Sequence, residues 1–182
     1  MNDDPVEVWL AAGDHTVTIY AREDGTRLDR VRLELVRQRS CTAGRMEAED
    51  AQVSGFDVGL DGTASGGSYV YAPDGSGSSW SPSEDNKVEF CLTVAAAGSY
   101  ELQTGVWADS GTNNSFWVKV NGVSHGRWDT AINTSYEDDM VGISTADPLI
   151  LDLPAGDHSV EILLREDGTR LDWVALIPTS GS

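Results

Sequence analysis

The chain has 182 residues, 40% of them hydrophobic, enough for one core of ordinary domain size with a segment left over. Thirty Asp and Glu against twelve Lys and Arg give a formal charge of -18. That balance excludes a nucleic-acid partner, because twelve cations cannot neutralise a phosphate backbone against such an excess, and it excludes an anionic membrane surface for the same reason. What it leaves is solubility in a salty or extracellular setting, or an affinity for divalent cations. No run approaches the roughly 20 apolar residues that span a bilayer. The opening MNDDPVEVWLAAG has neither the basic start nor the apolar middle of a signal peptide, so it is not expected to be the native start of a secreted protein.

The first feature along the chain is a repeat. Residues 4–33 align without a gap on residues 147–176 at a constant offset of 143, and the octapeptide REDGTRLD is identical at 22–29 and 165–172. A spacing of that size is too long for a solenoid unit and matches whole modules in tandem. The expected organisation is therefore 1–42 as the last strands of a preceding truncated repeat plus linker, 43–178 as one complete module, and 179–182 as a tail. A two-stranded piece does not stand alone in water. The first segment must fray, pack on the complete module or pair with another chain.

Strand signals then arrive at regular spacing: RMEAEDA (45–51), SYVYA (68–72), KVEFCLTV (87–94), SYELQTGVWA (99–108), SFWVKVNGV (115–123), PLILDL (148–153), HSVEILLRE (158–166) and LDWVALI (171–177). KVEFCLTV and SFWVKV alternate apolar and polar residues, so each buries one face. AAAGS (95–99) and PAGDH (154–158) read as hairpin turns. Nineteen glycines and no 3.6-residue period complete the picture of an all-β, antiparallel β-sandwich of jelly-roll type. Cys41 and Cys91 lack a CxxC pattern or a nearby His, which argues against zinc; a disulfide between them and two buried thiols both remain open.

Two places concentrate acid. Glu47 and Glu49 lie two apart on a predicted strand and project from one face, where like charges need a cation, an exposed edge or protonation. Asp172 sits between Leu171 and Trp173 in an otherwise apolar strand. With first and last strands adjacent, the three carboxylates would surround one hard cation. The competing reading pairs them with Arg45, Arg165 or Arg170, or leaves them in water.

MEAEDA at the front, PAGDHSVEILL, and REDGTRLDWVAL at the back resemble carbohydrate-binding modules of the family 6 and family 35 type, which have a galactose-binding-like β-sandwich. The resemblance covers 43–178 and lies in the start, end and order of strands rather than in one diagnostic motif. It implies a structural Ca2+ held by Glu47, Glu49, Asp172 and backbone carbonyls, and a sugar site either in the loops at one end or on a concave sheet face. Those families often carry Asn before the final acid; here Thr169 and Arg170 occupy that turn.

A sugar offers apolar C–H faces and a rim of hydroxyls, so candidate contacts are aromatic platforms beside planar polar groups. Trp107, followed by Asp109, Asn113 and Asn114, is the foremost. Trp128 and Tyr136 lie in a long segment poor in strand signals, Trp80 in another loop, and Arg165, Asp167 and Arg170 in the last turn, within reach of hydroxyls or an acidic sugar. For each tryptophan the alternative is packing. The chain has no GxSxG, HExxH or phosphate loop, and its only histidines are His15, His125 and His158. The expected function is a non-catalytic, secreted carbohydrate-binding module that targets an attached enzyme to polysaccharide or oligosaccharide beside other modules of its polypeptide. The alternative is a calcium-stiffened structural or adhesion module of a surface protein.

Overall fold

The computed structural model describes residues 41–144 and 147–179 and, nearer the start, 8, 10, 15–20, 24–25, 27–28 and 30–33. The strands expected within 4–36 fall partly outside the described residues, as does most of the 179–182 tail. In chain order the strands are β1 Thr42–Ala43, β2 Arg45–Glu47, β3 Gln52–Ser54, β4 Asp57–Leu60 and β5 Ser68–Tyr71. The long ones follow: β6 Lys87–Val94, β7 Gly98–Trp107, β8 Ser115–Val120 and β9 Val123–Asp129. Then come β10 Glu137–Met140, β11 Gly142–Ser144, β12 Asp147–Pro148, β13 Ile150–Leu153, β14 Gly156–Leu164 and β15 Arg170–Pro178.

Two sheets form the sandwich. One runs β1-β6-β14-β8-β9 with β3 also on β6; the other runs β10-β7-β15-β5-β4, with β13 on β7 and β2 on β15. Among the described residues every ladder is antiparallel except β1 on β6. The alternation read from sequence sets the faces. Val88, Phe90 and Leu92 of β6 and Phe116, Val118 and Val120 of β8 point into the core, where they meet Leu102, Val106, Leu171 and Val174 from the opposite sheet. Each such buried side chain contributes on the order of 1.5–3 kcal/mol of transfer free energy.

The turns differ from expectation. AAAGS joins β6 to β7 and PAGDH joins β13 to β14, and in both cases the strands lie in different sheets. They are arches between layers rather than hairpins. Glycine-rich turn chemistry reverses the chain in either geometry, so composition does not separate them. Between 123 and 148 the chain forms β9 to β12, where few strand signals were expected. The cysteines are joined, Cys41 to Cys91, across a separation of 50 residues.

Candidate functional site

Strand parity builds one cluster on the outer face of the seven-stranded sheet. Leu102 and Val106 point inward on β7, so Trp107 points outward; on β5, Val70 is fully buried and Tyr69 and Tyr71 flank it on the other face. In register, Arg170 stands opposite Trp107 on one side and opposite Tyr71 on the other. Three adjacent strands thus place Trp107, Arg170 and Tyr71 in one row. The Arg170 guanidinium carbon lies 4.1 Å from the Trp107 ring centroid and 5.2 Å from that of Tyr69. Tyr136, just before β10, meets Trp107 edge-on at 5.4 Å and Tyr69 at 6.0 Å, while Tyr69 and Tyr71 are 5.3 Å apart.

Two details keep the row in place. Gly59 on β4 faces Tyr69 across the ladder, and a Cβ there would come within 2.3 Å of the tyrosine ring. Asp61 lies 3.6 Å from Arg170 and accepts hydrogen bonds from the Thr63 amide and hydroxyl, which hold its carboxyl below the usual range. Burial pushes the Tyr136 hydroxyl up, against the lowering influence of Arg170. The Tyr136 hydroxyl and Trp107 Nε1 are buried without a hydrogen-bond partner of normal geometry, an arrangement native structures rarely leave without a reason.

Of the residues expected at a sugar site, the structure gathers Trp107, Tyr136 and Arg170 and disperses the rest. Trp128 is 1% exposed and packs on Phe116 at 5.7 Å, so it is a core residue and not a platform. Asn113 donates to Asp109 and accepts from the Ser110 amide and hydroxyl, and Asn114 donates to the Thr130 carbonyl. These side chains shape their own loop. Asp167 accepts from the Gly75 and Gly77 amides and so anchors the 74–77 loop. Arg165 pairs with Glu166, donates to Ser115 and lies 5.7 Å from the ring of Trp80, which is 86% exposed on a separate loop. Tyr69, Tyr71 and Asp61 were not anticipated. The alternation in SYVY carried the signal for both tyrosines; nothing local marked Asp61.

The second cluster holds the acids. β2 does run beside β15, with Glu47 opposite Trp173, but the chain turns into a short 3-10 helix at Ala48–Asp50, so Glu49 is not on a strand with Glu47 as expected. Asp172 occupies the irregularity between Leu171 and Trp173 and is 3% exposed. Its Oδ2 accepts from the Ser65 amide at 3.0 Å. Glu47 Oε1 accepts from Arg45 at 2.9 Å and from the Ser65 hydroxyl at 3.1 Å. Each acid keeps one buried oxygen without a partner: Glu47 Oε2, Glu49 Oε2 and Asp172 Oδ1. Burial, with repulsion from Glu47 and Glu49 adding to it against the Ser65 amide, pushes Asp172 up to about 6; burial also raises Glu49. Of the pairings considered from sequence, Arg45 takes one oxygen of Glu47, whereas Arg165 and Arg170 are engaged by Glu166 and Asp61. Among the described residues no three His, Cys, Asp or Glu are already drawn to metal-ligand spacing. The three orphaned oxygens nevertheless fit a hard cation, which takes carboxylate oxygens and relieves repulsion that the protein leaves uncompensated.

The fold is similar to that of carbohydrate-binding modules of families 6 and 35. The family 35 module from Clostridium thermocellum superposes with a TM-score of 0.55 at 21% identity, covering 73% of this chain and 97% of that one. The module CBM6cm-2 from Cellvibrio mixtus lichenase 5A, in complex with cellotriose, gives 0.55 at 19% identity over 75% of this chain and 97% of that one. The Podospora anserina GH26-CBM35 β-(1,4)-mannanase gives 0.58 at 23% identity over 76% of this chain but only 28% of its own length. This chain therefore spans less than a third of that enzyme. No protein-family sequence model and no curated protein matches the chain.

Proposed function

We propose that this chain is a non-catalytic carbohydrate-binding module in which the outer face of the seven-stranded sheet takes up a sugar. The observation that carries the reading is the row Trp107–Arg170–Tyr71 with Tyr69 and Tyr136 packed around it. Aromatic faces suit the C–H face of a pyranose, Arg170 and Asp61 suit hydroxyls at its rim, and the unpaired Trp107 and Tyr136 groups gain partners from such a ligand. A Ca2+ ion held by Glu47, Glu49 and Asp172 stabilises the junction of β2 and β15 and takes no part in chemistry. The acid-rich surface suits a secreted protein. In its polypeptide, beside other modules, the chain would hold an attached catalytic domain at high local polysaccharide concentration; that such modules occur in a mannanase and a lichenase supports this role.

The reading as a calcium-stiffened spacer or adhesion module has one observation in its favour: Arg170 covers one face of Trp107 at 4.1 Å, a face a sugar would otherwise use. Affinity electrophoresis over a panel of polysaccharides, with calcium and with chelator, separates the two. Retardation by one glycan class, lost in Trp107→Ala, supports the binding module. No retardation by any glycan, with a clear calcium effect on melting, overturns it in favour of the spacer.

A further inference from the structure

One loop touches both clusters. Residues 61–67, DGTASGG, join β4 to β5 and are closed on themselves. The Asp61 amide donates to the Gly67 carbonyl at 3.1 Å, the Ala64 amide to the Asp61 carbonyl at 3.0 Å and the Gly67 amide to the Ala64 carbonyl at 3.1 Å. Asp61 Oδ1 accepts from the Thr63 amide and hydroxyl at 2.9 and 2.7 Å. A compact loop with its ends bonded together moves as one body.

The tip of this loop rests on the acids. The Ser65 amide donates to Asp172 Oδ2 at 3.0 Å, and the Ser65 hydroxyl donates to Glu47 Oε1 at 3.1 Å while accepting from Arg45 at 2.6 Å. Gly66, at φ 68°, sits so near the third acid that a Cβ would stand 3.0 Å from Glu49 Oε1. The base of the loop serves the aromatic row. With Oδ1 taken by Thr63, Asp61 offers Oδ2 to Arg170 at 3.6 Å, and it is this guanidinium that lies on Trp107 and Tyr69.

The seat of the tip is electrostatically incomplete. Glu47 Oε2, Glu49 Oε2 and the buried Asp172 Oδ1 have no partner, although each of these side chains borders Ser65 or Gly66. Repulsion among the three carboxylates therefore bears directly on the loop. A hard cation that takes the orphaned oxygens removes the repulsion and fixes the seat.

We propose that loop 61–67 links the two clusters, so that a divalent cation held by Glu47, Glu49 and Asp172 sets how firmly Asp61 holds Arg170 and thereby the strength of glycan binding. The glycan part rests on the sugar-site reading above. Asp61 is then a positioning residue that acts through Arg170. The link is reciprocal: a cation that tightens glycan binding is itself held more tightly when glycan is present.

The test reads the link in the full chain without glycan. Trp173 stands opposite Glu47, Trp107 carries Arg170, and Trp80 lies on a separate loop. The indole N–H resonances of the isotope-labelled protein, assigned with Trp173→Phe, Trp107→Phe and Trp80→Phe, report these three places separately. Calcium chloride added to chelator-treated protein is expected to shift the Trp173 and Trp107 signals with one midpoint and to leave Trp80 in place. Asp61→Asn keeps an oxygen for Thr63 but loses the charge facing Arg170. In that variant Trp173 is expected to respond with the wild-type midpoint and Trp107 to stay still. A Trp107 signal that ignores calcium while Trp173 follows it overturns the proposal. So does a Trp107 shift that survives Asp61→Asn, which would route the effect along β15 from Asp172 to Arg170. No response at Trp173, with no heat of calcium binding by calorimetry, overturns it together with the cation reading. In affinity electrophoresis calcium is expected to strengthen wild-type binding to a retarding polysaccharide about fivefold or more and to change that of Asp61→Asn little. Equal calcium increments in both proteins overturn the link. No retardation by any polysaccharide overturns the sugar reading alone, and the indole signals then decide the link.

Discussion

Trp107 and Trp128 are the same side chain put to opposite uses, and the difference is strand parity. Trp128 stands opposite Phe116, which faces the core, whereas Trp107 follows Val106 and faces out beside Arg170. Trp128→Ala would therefore remove a side chain that is 1% exposed and is expected to cost about 3–5 kcal/mol in chemical denaturation. Trp107→Ala is expected to leave the denaturation midpoint nearly in place and to weaken glycan binding tenfold or more by calorimetry. Arg170→Lys should weaken binding as well, because an ammonium does not stack on Trp107 and Tyr69 as a planar guanidinium does. Unaltered affinity in both variants would remove the proposed platform. Trp107 was legible as a strand-end aromatic beside a polar loop, and Arg170 as part of a marked turn. Their juxtaposition was not, since it depends on the register of β15 against β7. Asp109, Asn113 and Asn114 looked equally suited to a ligand, but loop polar groups first satisfy the loop's own backbone.

At the scale of elements, what the sequence made plain was the long strands: β6 and β8 through their alternation, and β7, β14 and β15 as longer segments bounded by turn residues. The short strands escaped notice because little of their pattern is apolar: β9 carries Arg127 and Asp129, and β10 is EDDM at the sheet edge, where exposure relaxes the alternation. The acid pair was misplaced for a similar reason, because nothing in MEAED announces that the strand ends at Glu47 and a 3-10 turn carries Glu49. The disulfide supplies what β1 lacks. Two residues on the edge of β6 make a weak ladder, and closing a loop of about fifty residues is worth on the order of 4 kcal/mol through the unfolded chain. Reduction, or Cys41→Ser with Cys91→Ser, is expected to lower unfolding free energy by about that amount while leaving the far-ultraviolet spectrum of the folded protein unchanged.

For the molecule as a whole, thirty carboxylates against twelve cations make the acid cluster an electrostatic burden that protonation relieves and that the proposed cation would relieve as well. In the metal-free protein Asp172 titrates at about 6, against 3.8 as a free side chain. A folded-state value raised above the unfolded one means that the native state holds the proton more tightly. The group's stabilising contribution is then complete below about pH 4 and is lost as the pH rises through 6, a difference of about 3 kcal/mol at most. Asp172→Asn mimics the protonated form at every pH, keeping the shape without the charge that faces Glu47 and Glu49. In chelator the variant is therefore expected to melt at the wild-type temperature near pH 4 and progressively above it toward pH 7. If the proposed ion binds the ionised carboxylate, calcium is expected to reverse the order: at pH 7 it should raise the wild-type Tm, have little effect on the variant, and lose its effect on the wild type as the pH falls below 6. Scanning calorimetry of both proteins at pH 4, 5, 6 and 7, with calcium and with chelator, reads the whole pattern. Parallel pH curves in chelator would show that Asp172 does not titrate in this window, and an equal calcium increment in both proteins would place the ion elsewhere.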